Sequence, residues 1–238
     1  MMVRPSVITW LCCATSAFGS HFYARPVASR REQPRRATPV TTERLTQVTV
    51  AAYGGQLMNP QLLKMGAKST PLIYAGQWWR LATPMLLHAG PLHLLVNMLS
   101  LRNVGSALER AYGAKKTALV YVASGVAGNL MSCAYGPVGA TSVGASGAVA
   151  GLIGALAVHL YRHSHLYGTR GLESIRDTVL LNALLGMTSG TIDNMAHLGG
   201  FLGGAAVGVA FGCRWQPRYN VLGQRVGLVD RPFLPLPF

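Results

Sequence analysis

The 238-residue chain is half hydrophobic and only 12% charged, against roughly 25% charged residues in an average soluble protein. Its net charge of +14 raises nucleic acid as a partner, because basic patches bind phosphate. The cations, however, cluster at the ends of apolar runs without interleaved aromatics, which is the pattern of topogenic signals rather than of a phosphate-binding face. Cys12, Cys13, Cys133 and Cys213 form no C-x-x-C pair and no disulfide framework.

Residues 1 to 40 differ from the rest. "ARPVASRREQPRRATPVTTER" is rich in Arg, Ser, Thr and Pro and holds only Glu32 and Glu43 as acids, the composition of an organelle transit peptide. Ahead of it, "MMVRPSVITWLCCATSAF" has a basic start and a short apolar run, like a weak secretory signal. The tandem resembles the bipartite presequences of algae with complex plastids, in which a phenylalanine follows the cleavage site; Phe18 holds that place. A plain plastid or mitochondrial presequence, or a first span, are the other readings. The expected organisation is a presequence over 1–40, a membrane domain over 41–213 and a polar tail over 214–238.

From Thr117 to Tyr161 there are 45 consecutive residues without Lys, Arg, Asp or Glu, enough for two bilayer-spanning helices of about 20 residues each. Gly136-Pro137 is the natural break between them. Charge-free windows predict spans at 81–101, 117–134, 143–161, 178–192 and 194–213, with Gly90-Pro91 starting the first helix proper. A further stretch, "LTQVTVAAYGGQLM" (45–58), is short and Thr-rich, leaving a total of six spans or five. Lys and Arg follow the spans that start near 91, 143 and 194, whereas the loops at 135–142 and 190–196 carry neither. The positive-inside rule therefore has those three helices enter from the same, non-basic side.

Each of these parallel helices carries polar groups near its entry end: His93 and Asn97 on one helical face, Ser146, and His197. Polar groups in hydrocarbon are costly and commonly functional. A lone serine or histidine at a helix interface would be read as packing or as a helix-to-helix hydrogen bond. The matched depth of the two, and the glycines at 144, 147, 151 and 154 facing those at 199, 200, 203, 204 and 208, instead predict a hydrogen-bonded Ser146–His197 pair. Neutral imidazole is the usual base for a serine nucleophile, and the oxyanion it creates needs fixed donors. Asn97, His93 and the Ser146 amide can supply them. Asp193 lies four residues before His197, but a loop position would leave it too exposed to orient the ring, so a dyad is expected. His159, His163 and His165 have spacing that could hold a metal; a position at the basic-side interface is the preferred reading.

Four motifs, "QWWRLATPM", "HAGPLHLLVNM", "GASGAVAGLIGAL" and "AHLGGFLGG", together resemble the rhomboid intramembrane serine proteases, over about residues 55–213. The resemblance implies an all-α, rhomboid-like transmembrane bundle with Ser146 as nucleophile, His197 as base, and His93 and Asn97 in the oxyanion hole. It implies supporting roles for Gly144 and Gly147 of the serine motif, and for Trp79 and Arg80 in an amphipathic loop before the second span. It also implies that Glu109 braces that loop. No cofactor and no metal is implied; the partners are the bilayer and the transmembrane helices of substrates. "GQWWRLAT" and "GQRVGLVDRP" look most like plastid-type members, which agrees with the presequence; a mitochondrial inner membrane is the alternative. One departure stands out: the family's usual aromatic four residues after the nucleophile is Ala150 here. That departure sustains a second reading, a pseudoprotease that binds membrane helices without cutting them. A small transporter would show internal repeats or paired broken helices, and the sequence has neither.

Overall fold

The computed structural model describes residues 39–167, 169–188 and 192–235; the presequence reading of residues 1–40 falls almost wholly outside them. Ten α-helices are described: α1 (Val40–Met58), α2 (Gln61–Gly66), α3 (Thr70–Tyr74), α4 (Pro91–Ser100), α5 (Ser106–Tyr112), α6 (Ala114–Tyr135), α7 (Ser146–Arg162), α8 (Ser164–Tyr167), α9 (Arg170–Thr188) and α10 (Asn194–Phe211). Two short strands, β1 (Lys68–Ser69) and β2 (Thr141–Ser142), pair antiparallel, and β3 (Trp215–Tyr219) with β4 (Arg225–Asp230) forms a hairpin.

Helices α6 and α10 are long and apolar enough to cross a membrane, and α7 is a shorter apolar helix. Leu92, Leu95, Val122, Leu130, Leu198 and Leu202 are exposed on the helices. An apolar exterior of this extent suits lipid and not water.

The observed helices differ from the predicted spans at their ends. The window 81–101 is only half helix. Residues Trp78–Leu81 and Thr83–Leu86 form two tight 3₁₀ turns, and α4 begins at Pro91, where proline's missing N–H costs nothing. Past Arg102 the chain stays helical through a π-helical turn at Leu101–Gly105 and on to Tyr112. Arg102 is exposed and the buried carboxylate of Glu109 is fully hydrogen-bonded, so these charges end the apolar run without ending the helix. The doubtful stretch 45–58 belongs to the 19-residue α1, and the span predicted at 178–192 starts at Arg170.

The centre of the bundle is α10, packed most closely against α7 and α6. Its glycines make this possible. A Cβ on Gly200 would strike the Gly147 carbonyl, one on Gly204 the Gly151 carbonyl, and one on Gly154 the Phe201 carbonyl. Backbone therefore meets backbone across the seam, the close approach that small residues permit in membranes. Leu101, Leu108, Val120, Leu152 and Ala155 fill the core beside it.

The outer elements are tied on by polar side chains. Glu109 accepts hydrogen bonds from the amides of Thr41 and Thr42, both 2.8 Å, and from Thr42 Oγ1 at 2.7 Å. These groups open α1, whose first amides have no intrahelical partner. The resemblance had Glu109 bracing the amphipathic loop; the observed contacts go instead to the start of α1. At the other end of α1, the Gln56 side chain donates to His88 O at 2.7 Å and accepts from His88 N at 3.1 Å.

The amphipathic loop is closed by Arg80, which donates to Lys64 O (3.0 Å), Ala67 O (2.7 Å) and Gln77 Oε1 (2.7 Å). Trp79 Nε1 donates to Met65 O at 3.1 Å, and Thr83 Oγ1 to Gly66 O at 2.6 Å. Four successive carbonyls at the C-terminal end of α2 are thereby satisfied, with a cation where the helix dipole is negative.

The segment read as a polar tail contains the β3–β4 hairpin, docked at the basic-side ends of the helices. Asp230 accepts from Lys116 Nζ at 3.3 Å and from Arg214 N at 2.8 Å. Trp215 N donates to His163 Nε2 at 3.0 Å.

Candidate active site

Ser146 is the first residue of α7, so its amide is one of the orphan donors of that helix end. At the basic-side end, Arg162 of α7 donates to Gly208 O (2.9 Å) and Val209 O (2.8 Å) of α10, and Lys116 of α6 lies 3.7 Å from Cys213 Sγ. At the dyad's end, Gly128 of α6 and Gly147 of α7 both pack against the Ala196 carbonyl of α10. α6 continues from Gly128 to Tyr135, so its far end stands roughly 10 Å beyond the level of Ser146. Residues 136–145 dip into the bundle to reach it.

His197 lies in the first turn of α10, and its Nε2 is 2.8 Å from Ser146 Oγ. The predicted pair thus meets. The glycine seam explains how: Gly200 sits against the carbonyl of Gly147, one turn below both side chains. Gly147 itself packs beside Ala196, whose carbonyl would lie 3.3 Å from an added Cβ.

His93 is brought to the same level by the turn at Gly90-Pro91. Its ring stands over Gly144, where a Cβ would lie 2.6 Å from His93 Cε1 and 2.9 Å from Nε2. Gly144 also has φ +128°, a backbone state open to glycine and strained for other residues. His93 Nδ1 accepts a long bond from Ala89 N at 3.4 Å. That contact favours the tautomer with the proton on Nε2, the nitrogen facing the serine loop. Asn97 is buried and gives one amide hydrogen to His93 O at 2.9 Å, which leaves its second hydrogen available.

Ser146 borders a small cleft whose walls include Pro84, Met85, Asn129, Ser142, Gly144 and Asp193. His93 and Asn97 are not among its walls; His93 stands beside it over Gly144, and Asn97 is bonded to the His93 carbonyl. Three contacts fix the cleft's rim: Gly144 N to Pro84 O (2.9 Å), Asn129 Nδ2 to Leu81 O (2.8 Å), and the β1–β2 pairing.

Asp193 corrects one expectation. It is half-buried rather than loosely exposed, and it caps α10: Oδ1 accepts from Ala196 N at 3.0 Å and Oδ2 from Ser132 Oγ at 2.6 Å. Its oxygens are occupied by these donors.

Gln56, Asn129, Ser132 and Lys68 escaped the sequence reading, since isolated polar residues without spacing carry no signal. Among the described residues, no group of three or more His, Cys, Asp or Glu is placed to hold a metal. The His159 and His163 rings meet at a centroid distance of 4.4 Å, tilted by 43°, at the basic-side end of α7.

The Rhomboid domain family model matches residues 75–214, more than half of the chain. This protein belongs to the rhomboid family. It is similar to the rhomboid protease GluP of Bacillus subtilis (strain 168), 38% identical over 174 residues, covering 73% of this chain and 33% of that protein. It is similar also to RHOMBOID-like protein 5 of Arabidopsis thaliana, 39% identical over 169 residues (70% of this chain, 54% of the relative). Rhomboid-like protease 1 of Toxoplasma gondii is 40% identical over 158 residues (63% and 53%). The chain thus spans between a third and about half of the length of these relatives. Membership makes it an integral membrane protein with a rhomboid-type helical bundle.

Proposed function

We propose that this rhomboid is an intramembrane serine endopeptidase working through a Ser146–His197 dyad. The observation that carries the reading is the 2.8 Å approach of His197 Nε2 to Ser146 Oγ, at the N-terminus of an apolar helix. His197 takes the Oγ proton as Oγ attacks the scissile carbonyl, then delivers it to the leaving amine. The Ser146 amide, the second Asn97 hydrogen and His93 Nε2–H are the donors for the oxyanion. Water then resolves the acyl-enzyme, with His197 again as base. The substrates are transmembrane segments of other proteins, locally unwound by Gly or Pro so that a peptide bond is exposed. The site in the plastid rests on the presequence composition of residues 1–40; a fusion of this segment to a fluorescent protein would accumulate in plastids, and uptake by mitochondria would overturn that assignment.

Covalent labelling by a fluorophosphonate in liposomes tests the chemistry. Wild type is expected to label, Ser146→Ala to lose all label, and His197→Ala to label slowly. Equal labelling of wild type and Ser146→Ala would overturn the reading. Ala150 supports the rival pseudoprotease reading, because no aromatic ring stands there to brace His197. Turnover of a transmembrane substrate that is lost in His197→Ala would dismiss it.

A further inference from the structure

Lys68 is fully buried, and its Nζ has no hydrogen-bond partner. A buried ammonium is expensive unless an opposite charge compensates it, by several kcal/mol as an order of magnitude. The strand register shows where compensation comes from. Lys68 stands directly opposite Ser142 in the β1–β2 pair, and directly opposed residues project their side chains to the same face. Ser142 lines the Ser146 cleft, and so does Asp193.

Asp193 supplies a negative charge there. Its burial opposes ionisation, but hydrogen bonds from Ser132, the Ala196 amide and Ser142, with the Lys68 charge, outweigh it and hold the carboxyl below the usual carboxylate range. A buried ammonium, set opposite Ser142 by the strand register, therefore lies near a half-buried carboxylate that shares Ser142's cleft, without direct contact between the two charges. Lys68 is paired with the strand that leads to Ser146, and Asp193 caps the helix that carries His197. Ser142 precedes Ser146 by four residues, and Asp193 precedes His197 by four.

Building on the endopeptidase reading, we propose that Lys68 and Asp193 form a charge pair that positions the dyad: Lys68 fixes the ribbon entering Ser146, and Asp193 the helix turn carrying His197. Neither touches the reacting atoms; both are positioning residues. Movement of the ribbon against the helix alters the Oγ–Nε2 separation directly, and a misplacement of about 1 Å can cost on the order of 100-fold in rate.

The test is a double-mutant cycle on the full chain in liposomes with Lys68→Met, Asp193→Asn and both together. Methionine keeps the apolar stem without the charge. Asparagine is as good an N-cap as aspartate and keeps the Ala196 bond. Each single variant is expected to lose about 10- to 100-fold in kcat on a transmembrane substrate, with KM within about threefold because no substrate contact is removed. The double variant should be no slower than the slower single, since the second change removes a charge that the first had stranded. Losses that multiply, or a kcat unchanged in either single, would overturn the proposal. The same cycle read as thermal midpoints needs no activity: the double should melt no lower than the less stable single, and additive drops would overturn the pair. Absence of wild-type turnover would count against the endopeptidase reading, and the melting cycle would then decide the pair by itself.

Discussion

Gly144→Ala is the sharpest perturbation of the proposed site. Two costs follow from the structure. At φ +128° a residue with a Cβ carries strain on the order of 1–3 kcal/mol. The new methyl would also sit 2.6 Å from His93 Cε1 and 2.9 Å from Nε2, whereas apolar contact begins near about 3.5 Å. The ring must therefore retreat by roughly 1 Å, withdrawing a donor from the oxyanion position. Removal of one such donor costs about 100- to 1,000-fold, so the rate of Ser146 labelling should fall at least about 100-fold. Labelling time courses for Gly144→Ala, His93→Ala and the double variant check this. Once His93 is truncated the clash is gone, so adding Gly144→Ala should cost no more than about tenfold beyond it. A wild-type rate in Gly144→Ala, or the full penalty persisting without the imidazole, would refute the argument.

Glu109→Ala would strand two amides and a hydroxyl at the start of α1 and is expected to destabilise the protein by about 3 kcal/mol, measured as the shift in thermal unfolding in detergent. Arg80→Lys replaces a fork that bonds three acceptors with a point charge; limited proteolysis should then cut within residues 64–83, which wild type resists. His163 accepts from Trp215 N while its Nδ1 bonds His159 O at 2.7 Å, so the folded state holds it neutral. Burial foremost lowers its affinity for a proton from the ordinary 6.5, though the bond to His159 O and Asp230 oppose this. Its contribution to stability is therefore complete above pH 6.5 and declines as the pH falls toward the lowered value. Hydrogen-exchange protection of the Trp215–Asp230 hairpin, corrected for the intrinsic pH dependence of exchange, should be lower at pH 5 than at pH 7.5, and His163→Gln should flatten that difference.

Much of this arrangement was legible in the residues. The pairing of Ser146 with His197 rested on equal depth and glycine spacing, both properties of regular helices, and helical geometry converts spacing into position reliably. The start of α4 at Pro91 followed from proline chemistry. What stayed hidden depends on tertiary partners. The helix beyond Arg102 is invisible to a search for uncharged windows, because the hydrogen bonds that let Glu109 be buried come from groups 67 and 68 residues away. The caps that Arg80 and Asp193 supply, and the burial of Lys68, likewise arise only once distant segments meet. The β3–β4 hairpin escaped because its strands are short and interrupted by Pro217 and Gly227, and its docking relies on Asp230 and His163.

The anchoring of α1 has a topological consequence. Its first turn is pinned to Glu109, near the end of the helix that leaves the dyad's level, and its last turns reach His88 beside that level. The weakly apolar α1 therefore traverses the same depth as its neighbours. α1 thus starts, and α10 ends, on the same face of the bundle. Reporter tags appended at the two ends of the bundle should share a compartment, and proteases added from that side should clip both while sparing the loop around Gly136-Pro137.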